Sequence, residues 1–160
     1  MNVSQILKGM RFKSLISLLI CLLVPDLQAQ VPEYTRQINR SFKVSNHATI
    51  EVSNKYGRVQ VIPWETDSVK FSIDLRIKAK DKQKLEKIKQ NVDFEFTSGQ
   101  SYLVAKTTFG ENSSDVFRDI VDIAGSYLSS SNSVNINYTI MVPSAATMKI
   151  EIKFGNVYLD

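Results

Sequence analysis

Cysteine is almost missing from these 160 residues; Cys21 is the only one. A single thiol can form no intrachain disulfide and no multi-cysteine zinc site. Histidine is equally scarce. His47 stands alone in "SNHAT", a turn-like stretch between two apolar runs. A histidine-rich metal site is therefore excluded, and a Ser-His-Asp mechanism would have to use this one ring without a Gly-x-Ser-x-Gly to accompany it. No strong charge of either sign is present, with 20 basic against 16 acidic residues. That balance argues for no nucleic-acid partner. Apolar residues make up 43% and charged residues 22%, which leaves an ordinary globular composition and, at this length, one domain.

The longest apolar run is short as well. "LISLLICLLV" (15–24) follows Lys8, Arg11 and Lys13 and is broken by Pro25 and Asp26. Ten helical residues reach about 15 Å, half of the roughly 30 Å hydrocarbon layer. A positive start, a short apolar centre and the small Ala29 make residues 1–29 a secretory signal peptide. Cys21 lies inside the apolar centre behind Ile20, so it does not read as a lipidation site. Cleavage after Ala29 would leave 17 basic and 15 acidic residues and no cysteine. Such an exported chain has to rest on a hydrophobic core, and its remaining length suffices for one.

After a polar leader at 30–40, period-two alternation takes over. "SFKVS" (41–45), "ATIEVSN" (48–54) and "GRVQVIPW" (57–64) each place apolar residues on one side. "SVKFSIDLRIK" (68–78) sets Val69, Phe71, Ile73, Leu75 and Ile77 against polar neighbours, which describes a half-buried strand. "DKQKLEKIKQNV" (81–92) changes period, and Leu85, Ile88 and Val92 form one helical stripe behind an Asp81 cap. "VDFEF" and "SYLVAKTTF" flank the turn "TSGQ" as a hairpin. A second amphipathic helix is expected over 114–128, then strands over 134–142 and from 146 onward.

One similarity is internal. "ATMKIEIKFGNVYL" (146–159) lies against "ATIEVSNKYGRVQV" (48–61) without a gap, with five of fourteen positions identical. Each copy is strand, aromatic-glycine, strand. The glycines, Gly57 and Gly155, suit a corner where φ turns positive or backbones approach closely. Units of this form bury a face only by stacking on a neighbour.

On these residues the chain resembles the bacterial "putative adhesin" family, exported domains of β-strand repeats without an assigned function. The likeness runs over roughly 41–160, from "IEVSNKYGRVQVIPWETDSVKFSIDLRI" through a charged helix to "VNINYTIMVPSAATMKIEIKFGNVYL". It implies short strands stacked into a β-solenoid in the periplasm, on the outer-membrane surface or outside a bacterium. Family members continue for further strands, so it also implies that 41–160 is an incomplete repeat domain. A fold-level likeness of this kind licenses little chemistry.

Few side chains suggest a site. Arg76, Lys78 and Lys80 begin a basic run through Lys89 that suits anionic polysaccharide or lipid headgroups, and that equally suits the solvated face of a strand and a helix. Trp64, after Pro63, can stack on a sugar ring or cover a corner of the sheet. Asp115, Asp119 and Asp122 share a helical face without the spacing of a calcium loop. No catalytic, metal or cofactor residues stand out.

The expected fold is mainly β, a stacked or solenoid-like sheet with one or two short amphipathic helices, the alternative being an antiparallel β-sandwich. The expected function is a non-enzymatic envelope or surface protein, adhesin-like or scaffolding. Its partners would be envelope proteins, surface glycans or another copy through the C-terminal edge. The alternatives are a carbohydrate-active β-helix enzyme and an envelope-stress sensing component.

Overall fold

A computed structural model describes residues 31–110 and 132–160. In chain order the elements are β1 (Glu33–Lys43), β2 (Thr49–Trp64), β3 (Ser68–Lys78), α1 (Lys82–Gln90), β4 (Val92–Ser98), β5 (Tyr102–Phe109), β6 (Ser133–Pro143) and β7 (Thr147–Leu159). The architecture is mainly β with a short helix, as the alternation predicts. The strands hydrogen-bond in the order β1-β3-β6-β2-β5-β4, and β7 pairs with β2 off that path. The predicted signal peptide at 1–29 and the helix expected at 114–128 lie outside the described residues.

The alternating run in β3 behaves as its period requires. Val69, Phe71, Ile73, Leu75 and Ile77 are all buried, between antiparallel neighbours β1 and β6. The hairpin across 97–100 forms too, with β4 and β5 antiparallel and Gly99 N–H donating to the Tyr102 carbonyl at 2.8 Å. In α1 the Asp81 side chain caps the first turn by accepting from Lys84 N–H at 2.7 Å, and Leu85 and Ile88 are buried.

Two expectations need correction. The polar leader at 30–40 is largely strand, since Glu33–Lys43 pairs with β3 along its whole length. Its alternation is masked because Arg36 and Arg40 share a face with Tyr34, Ile38 and Phe42, and at this edge only Ile38 is buried. The stretches 48–54 and 57–64 are also not separate strands. They form one 16-residue strand that bends without breaking.

That bend organises the molecule. One edge of β2 pairs with β7 along Thr49–Val61. The other edge pairs with β5 over Thr49–Ser53 and with β6 over Val59–Trp64. The sheet therefore forks at residues 54–58, with β5–β4 on one arm and β6–β3–β1 on the other. Gly57 sits at the fork with φ +109°, and a Cβ there would lie 2.4 Å from the Ile136 carbonyl oxygen. Only glycine combines that backbone angle with so close a contact.

The two arms face each other across aromatic side chains. Phe96 of β4 meets Phe42 of β1 and Phe71 of β3, each at 5.4 Å between ring centres. Phe94 of β4 meets Tyr138 of β6 at 6.3 Å. The first and last strands of the order, β1 and β4, thus come together and the sheet curls back on itself.

The gap-free alignment of 48–61 with 146–159 is the observed strand register. Thr49 pairs with Thr147, Tyr56 with Phe154, Gly57 with Gly155 and Val61 with Leu159, all parallel. Tyr56 and Phe154 stack at 5.6 Å with 10° between their planes. A Cβ on Gly155 would fall 1.6 Å from the Gly57 carbonyl oxygen, so the second glycine is required by the first. The copies are two stacked strands of one form.

Candidate functional site

The outward-pointing residues of β1, β3, β6, β2 and β7 form cross-strand rows, because side chains on one face of a sheet line up across the ladder. One row runs Asn39, Ser72, Thr139, Gln60, Tyr158 by direct pairing. The next runs Gln37, Asp74, Asn137, then Arg58, whose N–H donates to Asn137 Oδ1 at 3.2 Å, then Asn156. Thr35, Arg76 and Asn135 make a third row, and Glu33, Lys78 and Ser133 a fourth. At about 4.8 Å per strand, the five-strand rows span about 19 Å.

This outer face is furrowed. Arg36, Arg58, Arg76 and Lys78 line a furrow of about 820 Å³ together with Asp74, Asn135 and Asn137. A second furrow of about 570 Å³ shares Arg58, Asn135 and Asn137 and continues to Asn156 and Tyr158. In the first furrow Arg58, Arg76 and Lys78 point outward against the one carboxylate of Asp74, while Arg36 borders it from the other face of β1, so its field is positive. Glu33 tempers it from the edge, at 3.3 Å from Arg76 Nε and 3.5 Å from Lys78 Nζ. Arg76 keeps 64% of its side chain exposed and available despite that contact.

The residues singled out in the sequence separate here. Arg76 and Lys78 share the furrow. Lys80 lies beyond it, at the start of α1, with its N–H on Asn132 Oδ1 at 3.0 Å. Trp64 lies at the far end of β2, half-buried, donating from Nε1 to the Ser68 carbonyl at 2.8 Å across the β2–β3 turn. It covers a corner and takes no part in the furrow. His47 is an exposed turn residue. Asp115, Asp119 and Asp122 lie outside the described residues. Among the described residues no three His, Cys, Asp or Glu gather in a metal-binding group.

Arg36, Arg58, Asn135 and Asn137 were not legible as a site. They sit on three strands, β1, β2 and β6, that are close in space and distant in sequence. The one local signal was "VNINYTI", in which asparagines alternate with buried apolar residues.

At the fork, Asn54 is buried and fully engaged. Its amide nitrogen donates to the Tyr56 carbonyl at 3.1 Å and the Ile136 carbonyl at 2.9 Å. Its oxygen accepts from Lys55 N–H at 2.9 Å and Thr107 Oγ1 at 3.3 Å. The Tyr138 hydroxyl shares a 2.8 Å hydrogen bond with Thr107, and burial pushes it up to about 12 against that bond. This polar cluster ties β2, β5 and β6 together beneath the furrow and holds its floor in place.

Comparison with known proteins adds little. No protein-family model matches the chain, and no curated protein matches it. Among solved structures it is partly similar to a crystal structure of a putative adhesin from Bacteroides fragilis, with a TM-score of 0.32 and 13% identity. The match covers 78% of this chain and 44% of that one, so this chain spans less than half of its length. At that score the likeness carries no argument here, and the family resemblance rests on the sequence alone.

Proposed function

We propose that this chain is an exported, non-enzymatic surface-binding protein that holds carboxylated polysaccharide across the outer face of its bent sheet. The carrying observation is the furrow, in which Arg58, Arg76 and Lys78 lie among the amides of Asn135 and Asn137. Guanidinium groups match carboxylates in bidentate geometry, and amides and hydroxyls both donate to and accept from sugar hydroxyls. An open, shallow face about five strands wide suits an extended chain better than a small enclosed ligand. Export is supported by the signal-like residues 1–29.

Affinity electrophoresis through gels containing polygalacturonate or neutral dextran tests this. Retardation by polygalacturonate alone is expected, weakening as salt rises. Arg58→Ser combined with Arg76→Ser should weaken it about tenfold, roughly 1.4 kcal/mol. Equal mobility in both gels would refute binding. Release of new reducing ends from the polymer would replace this reading with an enzymatic one.

A further inference from the structure

Asp74 is the one carboxylate lining the first furrow, and it stands apart from the cations around it. It is exposed in β3, on the outward face that also carries Arg76 and Lys78. Arg76, two residues along the strand, turns to Glu33, with Nε 3.3 Å from that carboxylate. Glu33 pairs with Lys78, one row further from Asp74. Arg58 lies level with Asp74 but two strands away, beyond Asn137. At about 4.8 Å per strand, that is about 10 Å between backbones. The direct cross-strand neighbours of Asp74 are Gln37 and Asn137, both neutral amides. Among the described residues the Asp74 side chain has no ion pair and no hydrogen bond, so its oxygens stay open as acceptors.

An ionised carboxylate accepts hydrogen bonds and donates none. A sugar hydroxyl can donate to it, and a bond to a charged acceptor is among the stronger ones. A sulfate or an ester offers no such donor. A sulfate brought to the same place also meets a like charge at close range. The furrow therefore has two kinds of position. Arg58 and Arg76 take carboxylates, and Asp74 beside them takes a hydroxyl.

We propose, on the reading of this furrow as a polysaccharide site, that Asp74 narrows its substrate class to uronate polymers whose ring hydroxyls are free. A uronate chain carries unmodified hydroxyls between its carboxylates. It gives anions to the two arginines and a donor to Asp74. A densely sulfated chain places an anion where Asp74 needs a donor, and acylation removes the donor and adds bulk. Positive charge alone favours the more heavily charged sulfated chain, and Asp74 works against it. Specificity of this sort comes from disfavouring the wrong ligand as much as from holding the right one.

Affinity electrophoresis provides the test, in gels of polygalacturonate, of polygalacturonate acetylated on its ring hydroxyls, and of dextran sulfate. Mobility in neutral dextran is the reference. The parent chain should be retarded most by polygalacturonate, and acetylation should weaken its binding about tenfold through loss of one charge-assisted hydrogen bond. In Asp74→Ala that acetylation penalty should vanish, because the partner of the hydroxyl is gone. The same variant should shift the balance between dextran sulfate and polygalacturonate about tenfold toward the sulfate. Glu95→Ala, an equal change of charge at an exposed position of β4 on the other arm, should alter neither ratio. No retardation of the parent by polygalacturonate would remove the polysaccharide reading and this selectivity with it. Retardation by polygalacturonate without an acetylation penalty, or with one that persists in Asp74→Ala, would overturn the role of Asp74 alone. Stronger retardation of the parent by dextran sulfate, or a shift toward sulfate reproduced by Glu95→Ala, would overturn it as well.

Discussion

Asn54 is the buried polar residue at the fork of the sheet. A sheet that forks must leave backbone groups of the shared strand without ladder partners. Its carboxamide supplies two donors and one acceptor where β5 and β6 part company. The aligned position in the second copy is Ile152, paired directly with Asn54. The amide belongs to the fork and not to the repeat. Tyr138 completes the cluster, and its ionisation gives a measurable signature. Its hydroxyl titrates near 12 when folded, against an ordinary value of 10.0. Between those values the folded chain holds a proton that the unfolded chain has lost, so stability present below pH 10 falls as pH rises toward 12. Two units correspond to roughly 3 kcal/mol. Urea unfolding at pH 8 and pH 11 should show a smaller loss for Tyr138→Phe than for the parent chain, after about 1 kcal/mol lost at both from the missing hydrogen bond.

At the scale of elements, the bend in β2 and the cap of α1 make a useful contrast. Both depend on one residue, but their surroundings differ. Gly57 has a positive φ and lies against the backbone of β6, where nothing can yield. Asp81 caps an exposed helix end with a single side-chain hydrogen bond. Gly57→Ala should therefore cost at least about 3 kcal/mol, from backbone strain and displacement of β6 together. Asp81→Ala should cost about 1 kcal/mol. Chemical denaturation of the two variants measures the order directly. An alanine at 57 that proved as mild as the one at 81 would mean that the bend is not built as described. The charge pair across β2 and β7 belongs to this scale too. Lys149 holds Glu51 below the usual carboxylate range, mainly through their hydrogen bond. Both groups are exposed, and their role is to set register more than to stabilise.

The whole molecule hangs on the meeting of the two arms. Phe71 of β3 is fully buried, touches Phe42 and Tyr138 on its own arm and meets Phe96 of the other arm across the gap. Removing that ring leaves a cavity shared by both arms. Phe71→Ala should cost about 3–5 kcal/mol. If the curled sheet is one cooperative unit, Trp64 fluorescence and far-ultraviolet circular dichroism should still report a single transition. Separate midpoints for the two probes would divide the arms into independent folding units.

Much of this was written locally. The alternation over 68–78 named five core residues, the period change at 81 located α1, and the gap-free match of two segments coincides with the β2–β7 register, although only the structure shows that the copies pair. Those features depend on spacing along one strand or helix, or on a copy of a segment meeting its like, and sequence records both. The furrow was not recorded in that way. Arg58 and Asn137 lie 79 residues apart and share a hydrogen bond only because β2 and β6 pair. Nor could sequence tell that 30–40 contained a strand, because β1 takes its register from β3 and buries a single side chain on an open edge. Alternation decides which face of a strand is apolar. Which polar faces come together, and which strand edge stays open, follows from strand order. That order is set by the closing contacts between distant aromatic residues and by one glycine that lets β2 serve both arms.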